Sequence, residues 1–297
     1  MRRAIPAFWD DGKNGTAGQM KIAVMAPANR VEEHSLDALP TIAADYDVEL
    51  VIDPQCYASG GGHTWAGPDQ LRADTFLKYA NDPSVHAVWF ARGGYGSNRL
   101  FPLIFPHLED AAKRKSYVGY SDMGFMLGAL YARKVGKPIH GPMPIDVTRN
   151  DNGASVRRTL GWLVHGDKAG LEPGIVGSGR PAAAFNLSIL DAMIGTYWLP
   201  DLTDHDLLVE EVSEHLYRVD RMMFHVANAT QLSGIASLRL GSITLPPADG
   251  QADFGHTPDQ IAWDWSKIMK VLYEGRALIG HDSNNHVVPF GQIIART

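Results

Sequence analysis

The 297-residue chain contains a single cysteine, Cys56, and therefore cannot form an internal disulfide bond. A lone thiol suits a reducing compartment. The stretch around it, DPQCYASGGGH, offers no cationic neighbour that would lower the thiol pKa, so we interpret Cys56 as core packing rather than a nucleophile. No window reaches the roughly 18 apolar residues that span a bilayer. The N-terminal segment MRRAIPAFWDDGKNG lacks the apolar stretch of a secretory signal. We expect a soluble cytoplasmic protein without a membrane partner.

The chain also lacks runs of basic residues. It has 27 lysines and arginines against 33 aspartates and glutamates, a formal net charge of −6. Nucleic-acid-binding proteins present a basic face to phosphates, so we expect no nucleic-acid partner. With 45% hydrophobic and 20% charged residues the composition is that of a globular protein. The length fits one large domain or two ordinary ones.

Short apolar runs alternate with helical stretches in the first half of the chain. This alternation predicts a parallel sheet covered by helices on both faces, with chemistry at the carboxyl ends of the strands. The Arg92–Gly96 turn and Ser121 both lie at such ends. The predicted strands are 21–27, 47–54, 85–96 and 115–121, and the predicted helices are 69–82, with Leu71, Thr75, Leu77 and Tyr79 as its buried stripe, and 123–136.

The second half has a different pattern of apolar and polar segments, which predicts a smaller α+β domain. We place an N-terminal α/β domain at 18–145, a linker at 146–179 that contains one helical piece at 154–164, and a C-terminal domain at 180–297. Within the last, AAAFNLSILDAMIGT (182–196) predicts a helix or the approach to one. The remaining predicted elements there are strands at 204–212 and 235–243 and helices at 215–234 and 258–275.

The stretch YVGYSDMGFM (117–126) places Ser121 and Asp122 where a strand meets a helix. Both residue types are favoured N-caps, so capping is one interpretation of this joint. The other is that the joint presents a hydroxyl to a substrate. The sequence GYSDMG is not the G-x-S-x-G elbow of the α/β-hydrolases, because its second glycine comes one residue late, and this disfavours a lipase or esterase.

The ARGGYGSN turn (91–98) has three glycines in four positions. It lacks the lysine and serine or threonine of a P-loop and the spacing of a dinucleotide site. A tight turn without function and an anion hole both remain open. In the second interpretation, backbone N–H groups meet a developing oxyanion and Arg92 offers a forked donor to a carboxylate.

Two further segments supply a carboxylate and an imidazole. Glu210 and Glu211 end an apolar strand and would point to opposite faces of it, and an ordinary polar strand end is the other interpretation of these residues. His281 follows the apolar stretch Leu278–Gly280. A metal site built from His281, Asp282 and His286 lacks a standard ligand spacing, so we expect no metal and no cofactor. With Ser121, the chain then offers serine, glutamate and histidine in an order that catalytic triads permit.

Seven segments together resemble the serine LD-carboxypeptidases, a family that includes murein tetrapeptide carboxypeptidases and microcin-immunity peptidases. The resemblance spans nearly the whole chain. It implies a flavodoxin-like or class I glutamine amidotransferase-like N-terminal domain, a smaller C-terminal domain, a homodimer and no metal. The matching segments are KIAVMAPA, ARGGYGSNRLFP, YVGYSDMGF, HGPMP, FNLSILDAMIGTYWLPDL, LLVEEVSEHLYRVDRMM and IGHDSNNHVVPFG.

The resemblance also implies roles for single residues. Ser121 would be the nucleophile, Glu210 the orienting carboxylate and His281 the general base and acid. The backbone N–H groups of Gly94 and Asp122 would form the oxyanion hole. We add Arg92 as the group that binds a substrate carboxylate, with a surface or structural salt bridge as the alternative.

The expected substrate is a murein tetrapeptide that loses its C-terminal D-alanine during peptidoglycan recycling. Two alternatives stay open. One is a microcin-type peptidase that cleaves a peptidyl-nucleotide-like conjugate and stacks its base on an aromatic wall. The other is an inactive protein that binds a small ligand. The chain departs from the family where Ala184-Phe185 replaces glycines and where Glu211 replaces aspartate, and the candidates for the aromatic wall are Trp198, Trp263 and Trp265.

Overall fold

The computed structural model describes residues 19–60, 64–247 and 254–296. The N-terminal segment that argued against a secretory signal lies outside these residues. The described strands form two sheets. The larger sheet has the order β10-β5-β4-β3-β1-β2 and is parallel except at β10, which pairs antiparallel with β5. Its strands are β1 (Met20–Met25), β2 (Val48–Ile52), β3 (Ala87–Phe90), β4 (Ser116–Gly119), β5 (Lys137–His140) and β10 (Val288–Pro289).

The smaller sheet has the order β6-β7-β8-β9, and all of its described pairings are parallel. Its strands are β6 (Ala182–Asn186), β7 (Asp206–Glu211), β8 (Ser237–Ile243) and β9 (Leu272–Arg276). No helix among the described residues is long and apolar enough to cross a membrane. The α-helices are α1 (Leu39–Ala44), α2 (Asp69–Asn81), α3 (Phe101–Ile104), α4 (Met123–Ala132), α5 (Ala154–His165), α6 (Leu187–Met193), α7 (Leu216–Asn228) and α8 (Pro258–Met269).

The predicted fold class, a parallel α/β sheet with a second, smaller unit, is confirmed. Within the smaller unit, helices and strands alternate and the strands run parallel. The segment 182–196 is the approach to a helix, since β6 (Ala182–Asn186) leads into α6 (Leu187–Met193). The helix predicted at 258–275 is wrong at its end, because residues from 272 onward pair with β8 as a strand and this pairing overrides their helix propensity. Of the predicted stripe of α2, Thr75 and Tyr79 are buried and Leu77 is half-buried, but Leu71 is 41% exposed.

Helix α4 follows Ser121 and is packed between the two units of the fold. Eight of its residues, Met123 through Leu130, are buried, as expected for a helix that is apolar on every side. Two glycines on it permit this close packing. A Cβ on Gly124 would lie 3.1 Å from Ile189, and one on Gly128 would lie 2.6 Å from Met193 and 3.1 Å from Phe185. The smaller unit therefore rests directly on the helix that begins at the candidate nucleophile.

The chain returns to the larger sheet near its end. Val288 and Pro289 pair with His140 and Ile139 of β5. The segment from β9 to β10 therefore leads from the smaller sheet to the larger one. His281 lies in this connection, next to the carboxyl ends of β4 and β5.

Candidate active site

Ser121 lies in a strained turn between β4 and α4. Its φ is +61°, the left-handed region that costs a non-glycine residue free energy and is concentrated at functional sites. The turn is closed by the Gly124 N–H, which donates to the Ser121 carbonyl over 2.8 Å. The side chain is half-buried. The sequence lacks the G-x-S-x-G pattern, but the backbone reaches a comparable sharp bend from strand to helix.

Asp122 does not cap its own helix through its side chain. Its Oδ2 instead accepts a hydrogen bond of 3.0 Å from the Ser97 backbone N–H, and its carbonyl accepts one of 3.0 Å from the Ser97 hydroxyl. Burial raises the pKa of this carboxyl to about 6. Arg72, which is fully buried, holds the same turn from the other side by donating to the Gly96 carbonyl over 3.1 Å. The glycine-rich turn is thus fixed to the Ser121 bend.

The glycine-rich turn passes directly over Ser121. A Cβ on Gly93 would lie 2.8 Å from the Ser121 Cβ and 2.9 Å from its Oγ, whereas a Cβ on Gly94 would meet the side chain of Asn29. Gly94 has a φ of +112° and is exposed. Within the described residues, neither the Gly94 N–H nor the Asp122 N–H has a backbone acceptor. The sequence drew attention to Gly94 and missed Gly93.

Glu210 and His281 meet at the carboxyl end of β7, an inner strand of the smaller sheet. The His281 Nδ1 lies 2.8 Å from the Glu210 Oε2, and the Glu210 side chain is fully buried. Burial lowers the pKa of the imidazole, but the charge and hydrogen bond of Glu210 outweigh this effect, so the pKa of His281 is raised. The imidazole packs edge-on against the Tyr120 ring, with centroids 4.9 Å apart. Because Tyr120 immediately precedes Ser121, the Glu210–His281 pair lies against the residue next to the predicted nucleophile.

Glu211 is buried as well, rather than solvated on the opposite face. Its carboxylate accepts hydrogen bonds of 2.9 Å from the Asn186 amide and 2.8 Å from the Ser188 backbone N–H. Burial raises its pKa. Phe185 is likewise buried and packs against Phe290, with centroids 5.2 Å apart. The two departures from the family pattern are therefore accommodated inside the protein.

Several residues that hold this site were not predicted from the sequence. Arg149, placed by the sequence in the linker, donates to the His281 carbonyl over 2.9 Å. Asn285 accepts hydrogen bonds at its Oδ1 from the His140 Nε2, at 3.0 Å, and from the Gly280 N–H, at 3.3 Å. Burial lowers the pKa of His140 to about 4 and keeps it neutral. These contacts join residues more than 100 positions apart or bind backbone atoms, and so leave no local sequence pattern.

The tryptophans proposed as an aromatic wall make other contacts. Trp198 packs between Phe101 and Phe105, each centroid 4.7 Å away. The Trp265 indole N–H donates to Asp220, and Trp263 lies on α8 under Lys267. Within residues 19–60, 64–247 and 254–296, no group of three or more histidines, cysteines or carboxylates is placed to hold a metal ion.

Comparison with known proteins identifies the family. Residues 22–141 match the LD-carboxypeptidase N-terminal domain, and residues 182–295 match the LD-carboxypeptidase C-terminal domain. This chain belongs to the LD-carboxypeptidase family. The predicted family and the predicted enzyme class, a serine-type LD-carboxypeptidase, are thereby confirmed.

Relatives of this chain support the assignment over nearly its full length. A murein tetrapeptide carboxypeptidase of Pseudomonas aeruginosa is 25% identical and covers 92% of this chain and 91% of its own. The crystal structure of a muramoyltetrapeptide carboxypeptidase from Oxalobacter formigenes has a TM-score of 0.72 at 24% identity, with 92% and 93% of the two chains covered. The microcin C7 self-immunity protein, in complex with aspartyl sulfamoyl adenosine, has a TM-score of 0.77 at 16% identity, with 93% and 92% covered. The last two establish the shared fold.

Proposed function

We propose that this LD-carboxypeptidase releases C-terminal D-alanine from a murein tetrapeptide through an acyl-enzyme on Ser121. One observation carries the proposal: the Glu210–His281 pair packs against Tyr120, the residue before the strained Ser121. The similarity to murein tetrapeptide carboxypeptidases supports the choice of substrate, in which D-alanine is attached to the L-centre of diaminopimelate.

In the proposed reaction, the Ser121 hydroxyl attacks the carbonyl that precedes D-alanine while the His281 Nε2 takes its proton. Glu210 holds the Nδ1 proton and stabilises the imidazolium that forms. The imidazolium then protonates the amine of D-alanine as the C–N bond breaks. A water molecule, activated by His281, hydrolyses the resulting ester and regenerates Ser121.

The oxyanion of each tetrahedral intermediate would be bound by the N–H groups of Gly94 and Asp122. Two observations support this assignment. Neither N–H has a backbone acceptor within the described residues, and the Asp122–Ser97 hydrogen bonds fix one group relative to the other. The first turn of α4 adds the positive end of its helix dipole.

Arg92 would bind a carboxylate of the substrate. It is half-buried and donates to the Arg30 carbonyl over 3.2 Å, and within the described residues no carboxylate lies at ion-pair distance from it. A guanidinium in this state can offer a forked donor to an incoming carboxylate. We expect Arg92→Gln to raise KM for the tetrapeptide by about 10-fold or more, with a smaller change in kcat.

The direct test follows D-alanine release from a murein tetrapeptide by the wild-type protein, Ser121→Ala and Ser84→Ala. Ser84 is an exposed serine whose hydroxyl donates to the Asp82 Oδ1, so it provides the matched control. We expect release by the wild type and Ser84→Ala and none by Ser121→Ala. Release that persists in Ser121→Ala would refute the nucleophile.

The same assay distinguishes the two alternatives. Hydrolysis of an aminoacyl sulfamoyl adenosine, the kind of ligand bound in the microcin C7 self-immunity structure, without D-alanine release would favour the microcin-type alternative. Tight tetrapeptide binding without turnover would favour a binding protein. A homodimer and a cytoplasmic location, inferred from the family resemblance and the single cysteine, belong to the same proposal. Size-exclusion chromatography with light scattering and cell fractionation test them.

A further inference from the structure

Arg149 contacts the proposed base from outside the triad. Its guanidinium makes three hydrogen bonds in three directions. Nε donates to the Asp146 Oδ1 over 2.9 Å, Nη2 donates to the Tyr120 hydroxyl over 2.8 Å, and Nη1 donates to the His281 carbonyl over 2.9 Å. The Tyr120 hydroxyl donates in turn to the Asp146 Oδ1 over 3.0 Å. We refer to Tyr120, Asp146 and Arg149 as the clamp.

Most of the clamp is buried. Tyr120 is 3% and Asp146 4% exposed. Burial raises the pKa of both side chains, and the second Asp146 oxygen is used by the Met143 N–H at 2.8 Å. A buried ion pair is weak support for stability, because apolar residues of similar volume often serve a fold equally well. The contacts of Asp146 and Tyr120 instead give the Arg149 guanidinium a defined orientation.

The clamp connects the two halves of the proposed site. Tyr120 is covalently bonded to Ser121, its ring packs edge-on against the His281 imidazole, and its hydroxyl binds Arg149. Arg149 then holds the main chain of His281 itself. Glu210 thus holds the imidazole ring through Nδ1, and Arg149 holds the main chain of the same residue through its carbonyl. A displacement of about 1 Å in such a group can slow catalysis by about 100-fold.

We propose that Arg149 is a positioning residue that fixes the His281 imidazole relative to Ser121, with Asp146 and Tyr120 orienting its guanidinium. The inference rests on the proposed function, since it assumes that His281 activates Ser121. It does not depend on the substrate. Lysine cannot replace Arg149 fully, because an ammonium does not reproduce three donors in one plane.

The test measures the rate constant at which a fluorophosphonate labels Ser121, because this reaction needs the serine and its base but no peptide. The variants are Arg149→Gln, Arg149→Lys and Tyr120→Phe. The matched control is Arg157→Gln, which removes a half-buried arginine paired with Asp45. We expect labelling about 10-fold or more slower in Arg149→Gln, an intermediate rate in Arg149→Lys and Tyr120→Phe, and the wild-type rate in Arg157→Gln.

Several outcomes separate positioning from folding and from substrate binding. Partial unfolding lowers the final labelled fraction, whereas a displaced imidazole lowers the rate constant at full labelling. If Arg149→Gln fails to fold, the labelling rate constants of Arg149→Lys and Tyr120→Phe test the positioning role instead. With tetrapeptide, the clamp predicts a lower kcat at a nearly unchanged KM. Wild-type labelling rates in Arg149→Gln, or a raised KM with unchanged kcat, would overturn the proposal.

The labelling also separates this inference from the proposed function. If the wild type is labelled at Ser121 but releases no D-alanine, the substrate assignment fails and the clamp still stands on the variant rates. If the wild type is not labelled at Ser121, the triad fails and the clamp fails with it.

Discussion

Glu210 and His281, 71 residues apart in the chain, are joined by a hydrogen bond of 2.8 Å whose carboxylate is fully buried. The second oxygen of Glu210 has no hydrogen-bond partner within the described residues, so the imidazole is the hydrogen-bond partner that the structure shows for this carboxylate. A buried carboxylate bonded to one imidazole nitrogen leaves the other nitrogen free to exchange a proton with a hydroxyl.

Glu210→Gln should lower kcat by about 100-fold or more and shift the pH profile. The base works in its neutral form, so kcat/KM rises with pH through the pKa of His281. Glu210 raises that pKa above its ordinary value of 6.5. Removing the carboxylate charge should therefore move the acid limb of kcat/KM to lower pH. The exposed Glu49→Gln is the control and should leave profile and rate unchanged. An acid limb that stays in place or moves to higher pH would contradict this assignment.

Gly93→Ala tests how closely the glycine-rich turn covers the nucleophile. The added methyl group would lie 2.9 Å from the Ser121 Oγ, and a crowded hydroxyl cannot reach a substrate carbonyl. We expect kcat/KM to fall by about 100-fold, with a loss of stability of about 1–3 kcal/mol from overpacking. Gly161→Ala, which places a methyl group 3.5 Å from Asp167 inside α5, should keep wild-type activity. A fully active Gly93→Ala enzyme would show that the turn moves away from Ser121 in solution.

Gly280→Ala tests the turn that delivers His281. Gly280 has a φ of +147°, and a Cβ there would lie 2.5 Å from the Ser242 Cβ. We expect a loss of about 2–4 kcal/mol in the free energy of unfolding, measured in denaturant, together with a lower kcat.

The neighbouring serine separates the two causes of this loss. Ser242→Gly removes the atom that the new methyl group would meet but leaves the backbone conformation unchanged. The double variant should therefore recover part of the stability lost by Gly280→Ala, giving a nonzero coupling free energy in a double-mutant cycle. Strictly additive effects would exclude the contact as the cause.

The sequence indicated the fold, and it drew attention to Ser121 and His281, because both leave local signals. Short apolar runs between helical stretches are typical of buried parallel strands, and Ser121 and His281 each follow such a run. The sequence left β6 open between a helix and the approach to one, because its three alanines favour a helix locally while its pairing with β7 is a long-range property.

The surroundings of the triad could not be predicted in the same way. Asp146 and Arg149 belong to a polar stretch without periodicity, and Arg149 binds a main-chain carbonyl 132 residues away. A backbone acceptor requires no particular side chain and therefore leaves no pattern at its own position. Gly93 and Gly94 differ in which atoms an added Cβ would meet at each position, and only the folded chain determines this.

Asp122→Asn should stabilise the protein at high pH and not at low pH. The folded-state pKa of Asp122, about 6, lies above its ordinary value of 3.8 because the group is buried. The folded protein thus binds this proton more tightly than the unfolded chain, and the charged form costs stability above pH 6. An uncharged amide avoids that cost, up to about 3 kcal/mol at pH 8, and the gain should shrink as pH falls from 6 towards 4.

Unfolding in denaturant at pH 8 and pH 5 checks this difference, with the exposed Asp110→Asn as a control that should show no such gain. A gain larger at pH 5 than at pH 8 would show that burial does not dominate the pKa of Asp122.

We also expect a lower kcat in Asp122→Asn. A carboxylate accepts the Ser97 N–H hydrogen bond more strongly than an amide does, so the variant holds the glycine-rich turn less firmly over Ser121. A more stable but slower enzyme would indicate that the buried charge is retained to position the oxyanion hole.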